Sequence, residues 1–383
     1  MQDTFITKIH INKVRHLADV DIVLSDTERK HLILTGKNGS GKTSLLEAIR
    51  YVVGTMQGFI KSNKHFTEAG AYTYLKKDNA DFNNVVISYS SSDVSFTDTI
   101  FSYIPAVRTK LIMPKAIEPL EITNKTQINE NNSDKFLKYI LSLDYRLYGA
   151  QNDKNKELET NLLKWFNSFT KALREIYDCE KLELQRDTKN LSFKIEMPGR
   201  EPFGLHEMAD GYKAFLEIYM ELIMRFDNAD AIIEYGQPAI VLIDEIETHL
   251  HVELQKRALP FLTQLFPNVQ FIVTTHSPFV ITSLSNAVVY DLEKREQLDN
   301  PSFYSYESVV ESFLDTDMYS EEMKRYFERY KELCFKAKTP EENKEFLRAK
   351  TELELMSPAS KELFIAFRNL EQKRKEAKNG QAD

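Results

Sequence analysis

Two short stretches of the chain combine residue types that could do chemistry. Residues 36–43 read GKNGSGKT, and residues 241–251 read VLIDEIETHLH. The first sets glycines around a lysine and a threonine, whereas the second ends with three acids and two histidines in eight positions. Glycine loops of the first kind cradle phosphates. An acid and histidine cluster could hold a metal, supply a general base or form a solvated turn.

Residues 36–43 match the complete phosphate-loop pattern G-x-x-x-x-G-K-[ST]. The glycines let backbone N–H groups point inward at a phosphate, and the following helix adds the positive end of its dipole. The pattern assigns the ammonium of Lys42 to the β- and γ-phosphates and the hydroxyl of Thr43 to Mg²⁺. The residues predicted to contact the nucleotide here are Asn38, Gly39, Ser40, Gly41, Lys42, Thr43 and Ser44.

A phosphate loop of this kind needs a carboxylate on a neighbouring strand end to hold Mg²⁺. Asp244 directly follows the buried-type run AIVLI (239–243) and is predicted to be that ligand. Adjacent side chains on an extended segment point to opposite sides, so Glu245 is predicted to face the attacking water as a general base. Glu247 has no comparable pairing and is predicted to be solvated.

His276 follows a second buried-type run, QFIVTT (270–275). In open α/β sheets, ligand-binding groups cluster at the carboxyl ends of the strands. His276 is therefore predicted to sense or polarise the γ-phosphate. A lone histidine is usually structural or idle, and that alternative stays open here.

These residues need a parallel sheet to bring them together. The strand-like runs 239–243 and 270–275 flank a predicted helix at 252–265, a spacing typical of parallel β-structure. The run at 31–35 precedes the phosphate loop, and the helical pattern after the loop is predicted to end at Gly54. The other predicted elements are strands at 5–11 and 18–24, two strands within 84–104, helices at 136–148, 155–177 and 211–226, and a hairpin at 181–197.

Composition limits the class of protein. The chain has 383 residues with a net charge of −8 and a pI near 5.7, so bulk charge does not draw it to nucleic acid. Its two cysteines, Cys179 and Cys334, exclude a disulfide framework and fit a reducing cytoplasm. No apolar run approaches the ~18 residues of a membrane span, and we expect no signal peptide.

Shifts in composition divide the chain into four predicted segments. They are an N-terminal lobe at 1–106, a helical insertion at 107–180, a second lobe at 181–299 and a C-terminal helical extension at 300–383. In the extension, Thr339-Pro340-Glu341-Glu342 is a capping box with proline at the first helical position. A further helix is predicted to begin at Ser357-Pro358.

The three motifs, in this order, resemble the head of ABC-type ATPases and, more narrowly, their RecF/SMC/OLD branch. ITKIHINKVRHLADVDIVL is similar to that branch's N-terminal hairpin, and IDEIETHLH and TTHSPFV are similar to its Walker B–D-loop and switch-histidine motifs. The resemblance covers about residues 5–60 and 180–292. It implies a two-lobed α/β P-loop fold without a long coiled coil, ATP and Mg²⁺ as ligands, and a head-to-head dimer with two ATPs at its interface.

The resemblance also implies a signature motif that closes the nucleotide site of the partner protomer. The motif falls on Met208, Ala209, Asp210 and Gly211. Ala209 replaces the serine of the family's motif. The glutamine expected near 101–107 is missing, and Gln57 stands on a different element. Both departures imply slow or conditional hydrolysis.

His249 and His251 fall where this family places its D-loop, the turn that crosses to the other protomer. His251 is therefore predicted to lie near the nucleotide and to communicate across the dimer, with a structural turn as the alternative. A zinc-dependent hydrolase that uses both histidines is a third interpretation, although convincing further ligands are missing nearby.

The chain also resembles the ATPase subunits of bacterial anti-phage systems of the Septu, retron-associated and PARIS types. That likeness implies a separately encoded nuclease or toxin as partner. Asp315 and Asp317 form a D-x-D, but no apolar strand precedes them and they are predicted to be solvated. The helices at 107–178 and 306–377 would dock the effector or pack on the head. The alternative is a RecF-like ATPase that clamps DNA, with lysines at 108–115 and 373–378 touching phosphate.

Overall fold

The chain divides into two compact units, residues 1–309 and 310–383. The computed structural model describes residues 4–91, 94–96, 98–107, 120, 127–129, 132, 135–187, 192–227, 232–313, 321–336, 339–355 and 361–379. Both cysteines are free thiols. The four predicted segments stay predictions.

A six-stranded sheet forms the centre of the first unit. Its strands are β3 (His31–Thr35), β5 (Ile100–Ile104), β9 (Ala239–Ile243), β10 (Val269–Thr274), β11 (Ala287–Asp291) and β12 (Glu296–Asp299). The strand order is β12-β11-β3-β10-β9-β5, and all neighbours are parallel except the edge strand β12. Every residue of the parallel strands is buried, as expected for a sheet covered on both faces. The predicted parallel structure is confirmed.

The predicted N-terminal strands form a second, antiparallel sheet. It contains β1 (Ile6–Val14), β2 (Leu17–Val23) and β4 (Val85–Tyr89) in the order β2-β1-β4. The buried amide of Gln270 on β10 ties it to the central sheet, since it accepts from Ile6 N at 2.7 Å and donates to the Ile6 carbonyl at 2.9 Å. The hairpin predicted at 181–197 is confirmed by β6 (Glu183–Asp187) and β7 (Ser192–Glu196), which pair with β8 (Phe203–Gly204) in a third sheet.

The helices of the first unit are α1 (Lys42–Ser62), α2 (Glu68–Asp78), α3 (Phe136–Asn152), α4 (Lys156–Tyr177), α5 (Asp210–Phe226), α6 (Val252–Leu265), α7 (Pro278–Ile281) and α8 (Tyr306–Ser308). The helices predicted at 136–148, 155–177, 211–226 and 252–265 are confirmed as α3 to α6. The predicted end of the first helix at Gly54 is wrong, because α1 continues to Ser62. A Cβ on Gly54 would lie 2.7 Å from Asn129 Nδ2, so this glycine permits close packing instead of ending a helix.

Apolar packing fixes the helix that carries the phosphate loop. Leu45, Leu46 and Ile49 of α1 share one core with the antiparallel sheet and with alternate residues of β3 and β9. Elsewhere in the first unit, α4 packs on α5 through aromatic rings, and Phe169 stacks on Tyr219 with 6.1 Å between the ring centroids. The helix that follows the phosphate loop therefore packs on the same core as the strands.

The second unit packs α9 (Glu321–Leu333), α10 (Pro340–Glu354) and α11 (Lys361–Asn379) around its own small apolar core. The predicted capping box is confirmed: Thr339 Oγ1 accepts from Glu342 N at 3.2 Å, and Glu342 Oε2 accepts from Thr339 N at 2.9 Å. The predictions for Asp315, Asp317, residues 108–115 and the helix start at Ser357 lie outside the described residues. In the part of the chain that the structure describes, the longest helix has 22 residues, and no helix has the length and apolarity to span a bilayer.

Candidate nucleotide-binding site

The carboxyl ends of three adjacent strands bring the predicted site residues to one edge of the central sheet. β3 ends at the phosphate loop, β9 ends directly before Asp244, and β10 lies between them and ends two residues before His276. Parallel strands present their carboxyl ends at the same edge, where open α/β sheets bind ligands. Residues from three separate motifs thus meet in one place.

The phosphate loop has the backbone conformation that its glycines predict. φ is +131° at Gly36, +86° at Gly39 and +99° at Gly41, values that residues with a side chain rarely adopt. A Cβ on Gly36 would lie 2.8 Å from Ser40 Oγ, and one on Gly41 would lie 2.9 Å from a methyl of Leu17. The loop is a tight cradle that side chains would fill, which fits a phosphate.

The ammonium of Lys42 lies inside this cradle. Its Nζ donates to the carbonyl oxygens of Gly36 at 2.8 Å and Lys37 at 3.1 Å, and the residue is 6% exposed. Burial lowers the pKa of Lys42, and the carboxylates of Glu245 and Glu247 give the largest effects that oppose the shift. The two carbonyl oxygens hold the Lys42 side chain in the position where it would meet an anionic ligand.

Asp244 and Thr43, the predicted Mg²⁺ ligands, are in contact. Thr43 Oγ1 donates to Asp244 Oδ1 at 3.2 Å, although the two residues stand on different motifs. Asp244 is buried at the end of its strand. A buried carboxylate beside a hydroxyl supplies the oxygen ligands that Mg²⁺ prefers.

Thr274 organises both acids and was missed by the sequence analysis. Its hydroxyl donates to Asp244 Oδ1 at 2.6 Å and accepts from the backbone N–H of Glu245 at 2.7 Å. Glu245 has φ +45°, so the backbone is not extended there, and the extended-segment argument for its side chain was wrong. Thr248 Oγ1 donates to Glu245 Oε2 at 3.1 Å and restrains the carboxylate.

Glu247, predicted to be solvated, is instead hydrogen-bonded to the backbone of His276. Its Oε1 accepts from His276 N at 2.6 Å, and its Oε2 is buried without a hydrogen-bond partner among the described residues. The prediction was wrong because the turn after β9 folds back against the end of β10, where Ile246 N donates to the Thr274 carbonyl. Burial and the charge of Lys42 lower the pKa of His276, which favours the neutral form of its ring.

The predicted signature residues begin α5 and touch the predicted D-loop of the same chain. A Cβ on Gly211 would lie 2.8 Å from the carbonyl oxygen of His249 and 3.5 Å from Cδ2 of His251. Met208 is buried, whereas Ala209 and Asp210 are exposed. The structure thus joins the two motifs within one protomer, and their contact with a partner's nucleotide stays a prediction.

The remaining predicted residues fall on the loop, on α1 or away from the site. Asn38 and Gly39 are exposed, Ser40 is buried and Ser44 is half-buried. Gln57 is buried roughly 22 Å along α1 from Lys42, by the helical rise per residue. Its amide accepts from Ile128 N and donates to the Phe96 carbonyl, both at 3.0 Å, so it supports the core.

Asp291, the last residue of β11, is a further acid beside the phosphate loop that the sequence analysis missed. Its Oδ1 would lie 3.3 Å from a Cβ on Gly36 and accepts from the N–H groups of Glu293 and Lys294 at 2.7 and 2.9 Å. The sequence pattern could have predicted Asp291, because the apolar run AVVYD ends in an acid just as AIVLID does.

The zinc interpretation gains no ligand set from the structure. Within the described ranges, no group of three or more histidine, cysteine, aspartate or glutamate side chains could hold a metal ion. His249 and His251 are exposed, and the His251 ring lies beside Gly211, 3.5 Å from where a Cβ on that glycine would be.

A buried strand, a glycine loop and a helix, with an acid at the end of a nearby parallel strand, define the class of P-loop nucleotide-binding proteins. Within that class, the chain belongs to the RecF/RecN/SMC N-terminal domain family, whose match spans residues 5–297. This membership and the sheet order confirm the predicted α/β fold of an ABC-type ATPase head.

Two curated relatives show where the similarity lies. The chain is 25% identical over 240 residues to the Retron Vc95 probable ATPase of Vibrio cholerae serotype O1 biovar El Tor, a match that covers 56% of this chain and 46% of that protein. It is 25% identical over 318 residues to the Septu protein PtuA of Bacillus mycoides (strain KBAB4), covering 76% and 41%. The chain therefore spans less than half the length of either relative.

Among solved structures, the chain is similar to an SMC head bound to the C-terminal winged-helix domain of ScpA. The sequence identity is 14% and the TM-score is 0.44. The match covers 78% of this chain and 100% of that one.

Proposed function

We propose that the chain is an ATPase that binds ATP with Mg²⁺ at the phosphate loop and hydrolyses it slowly or conditionally. The observation that carries this proposal is the contact between Thr43 and Asp244, because it joins the phosphate loop to the acidic strand end in one site. The family membership and the relative named as a probable ATPase support it.

Binding is proposed to rest on the loop and its two neighbours. The backbone N–H groups of residues 38–44 and the ammonium of Lys42 would hold the β- and γ-phosphates. Thr43 and Asp244 would hold Mg²⁺, which neutralises charge on the phosphate oxygens when it is bound. Thr274 keeps Asp244 in place through its 2.6 Å hydrogen bond.

Hydrolysis is proposed to use Glu245 and His276. Glu245 would orient the attacking water as a general base, since its carboxylate lies in the site and is restrained by Thr248. The neutral ring of His276 offers one N–H donor for the γ-phosphate. Both residues lie on turns that follow buried strands, so the central sheet fixes where each turn begins.

We further propose that two heads close around two ATP molecules. The exposed start of α5, at Ala209 and Asp210, would face the nucleotide of the partner protomer, and the helix N-terminus favours phosphate. Because Ala209 offers no hydroxyl, this contact would depend on backbone N–H groups, which supports slow hydrolysis. His251, beside Gly211, would relay closure between protomers.

The biological role that we propose is regulation of a separately encoded nuclease or toxin in cytoplasmic anti-phage defence. The similarity to the retron and Septu proteins supports this role. The alternative is a DNA-clamping repair ATPase, which the RecF part of the family name favours. A steep fall of DNA affinity with salt would favour the clamp. Co-purification with the product of a neighbouring gene, without DNA, would favour the regulator.

The proposed activity is tested with three variants. Lys42→Ala should abolish binding of a fluorescent ATP analogue, and Glu245→Gln should bind it, hydrolyse ATP more slowly and form a more stable dimer in size-exclusion chromatography. Lys61→Ala, exposed in the last turn of α1, is the matched control and should behave as wild type. Wild-type protein that binds no ATP would overturn the proposed function. Hydrolysis by Glu245→Gln at the wild-type rate would overturn only the general-base assignment.

A further inference from the structure

We infer that Glu247 is a positioning residue that sets the switch histidine, His276, for ATP hydrolysis. The inference rests on the proposed function and adds a residue to it. Its basis is a hydrogen bond between the turn after β9 and the segment after β10: Glu247 Oε1 accepts from His276 N at 2.6 Å. A hydrogen bond to a carboxylate is roughly twice as strong as one between neutral groups.

The N–H groups on either side of His276 have other partners, so Glu247 is the acceptor that fixes the backbone at His276 itself. The N–H of Thr275 donates to the Leu34 carbonyl at 3.0 Å, and the N–H of Ser277 donates to Thr275 Oγ1 at 3.0 Å. Between them, the N–H of His276 lies past the end of the β10 ladder and is held by Glu247. The orientation of the histidine therefore depends on the acid.

The turn that carries Glu247 is itself rigid. Its neighbour Ile246 is buried, and Ile246 N donates to the Thr274 carbonyl at 3.2 Å. The carbonyl of Glu247 accepts from Leu250 N at 2.8 Å. A side chain on such a support can hold a second segment within the fraction of an ångström that catalysis requires.

A second clamp joins the same two segments. Gln255 Nε2 donates to the Leu250 carbonyl at 2.7 Å, and Gln255 Oε1 accepts from Ser277 Oγ at 2.6 Å. The segment after β10 is thus bound at His276 by Glu247 and at Ser277 by Gln255. Loss of Glu247 alone should loosen His276 without releasing the whole segment.

Charge and burial place the Glu247 carboxylate at the site. Its charge acts on both Lys42 and His276 and opposes the lowering of each pKa. Its Oε2 is buried and has no partner within the described part of the chain, so one acceptor is left for a water or a group from outside the chain.

The test is a double-mutant cycle on ATP hydrolysis with the full chain. Glu247→Ala should lower kcat between about tenfold and a hundredfold, as expected for a displaced catalytic group, while the Kd of a fluorescent ATP analogue changes less than about twofold. Glu247→Gln keeps an acceptor for His276 N and should stay within about threefold of wild type. In the His276→Ala background, Glu247→Ala should change kcat less than about twofold. Glu253→Ala, exposed in the first turn of α6, is the matched control.

Three outcomes would overturn the inference while wild-type protein hydrolyses ATP. They are a wild-type kcat for Glu247→Ala, the same fold loss from Glu247→Ala with and without His276, and a parallel loss of ATP affinity. If the alanine variant is insoluble, Glu247→Asp draws the acceptor back by about 1.5 Å, one C–C bond, and takes its place in the cycle. Wild-type protein without hydrolysis would instead overturn the proposed function.

Discussion

Gly211 and the carbonyl oxygen of His249 pack against each other within one chain, since a Cβ on Gly211 would lie 2.8 Å from that oxygen. His249 has φ +67°, which marks a tight turn at this residue. The obstructing atom belongs to the backbone and cannot swing away as the end of a side chain could. Glycine at this position is therefore required by the packing of α5 on the turn, independently of any nucleotide.

Gly211→Ala should lower the free energy of unfolding by about 1–3 kcal/mol, the usual cost of an overpacked contact. Gly58→Ala is the matched control, because Gly58 lies in a helix with nothing within 4 Å of a built Cβ. That control should gain up to about 1 kcal/mol from helix propensity. Urea unfolding of both variants measures the difference, and equal stabilities would contradict the steric argument.

Thr274→Val should impair hydrolysis, because it removes the hydroxyl that donates to Asp244 Oδ1 and accepts from Glu245 N. We expect kcat to fall about tenfold or more, since both acids lose a partner that sets their position. Thr274→Ser keeps the hydroxyl and should stay near wild type. An equal loss in the serine variant would show that the methyl group, and not the hydrogen bonds, matters.

The contiguous parts of the site could be predicted from the sequence. Lys42 and Thr43 stand in one loop whose spacing encodes the phosphate cradle, and Asp244 follows an unbroken apolar strand. Those signals are local, so no knowledge of the packing was needed. The α/β sheet and the helices α3 to α6 were likewise readable from periodicity.

The rest depends on contacts between distant segments. Thr274 and Glu247 each form a hydrogen bond between the end of β9 and the end of β10. These two strands are neighbours in the sheet but distant in sequence, so the partners cannot be predicted from local sequence patterns. The sequence predicts a helix end at Gly54, whereas in the structure α1 continues and Asn129 packs against this glycine. Glycine and acidic residues have several uses, and tertiary packing selects among them.

Stability should depend on pH through His31 on β3, which is buried and accepts from Phe271 N at 3.1 Å. Burial, with a smaller effect from Arg29, lowers the pKa of His31 to about 4. The unfolded chain, with a pKa near 6.5, binds the proton more readily, so stability is lost as pH falls from about 6.5 to 4. The loss should reach about 3 kcal/mol at 1.36 kcal/mol per pH unit.

His31→Asn isolates this effect, because asparagine offers an acceptor to Phe271 N but does not titrate in this range. Urea unfolding between pH 7.5 and 4 should give a shallower pH dependence for the variant than for wild type. The difference between the two curves removes the contributions of the other titrating groups. Parallel curves would contradict a neutral, buried His31.

Helix α5 is anchored by a buried ion pair, and breaking it should be costly. Arg225 Nε donates to Glu221 Oε1 at 2.6 Å, and Arg225 Nη1 donates to the carbonyls of Phe101 and Gln127 at 3.1 Å. Arg225→Met would leave the buried Glu221 carboxylate without its cation, which typically costs 3–5 kcal/mol. Lys156→Met, which removes a surface pair between the exposed lysine and the half-buried Glu159, should cost less than about 1 kcal/mol. Thermal and urea unfolding compare the two, and similar losses would show that the Arg225 pair contributes no more than a surface contact.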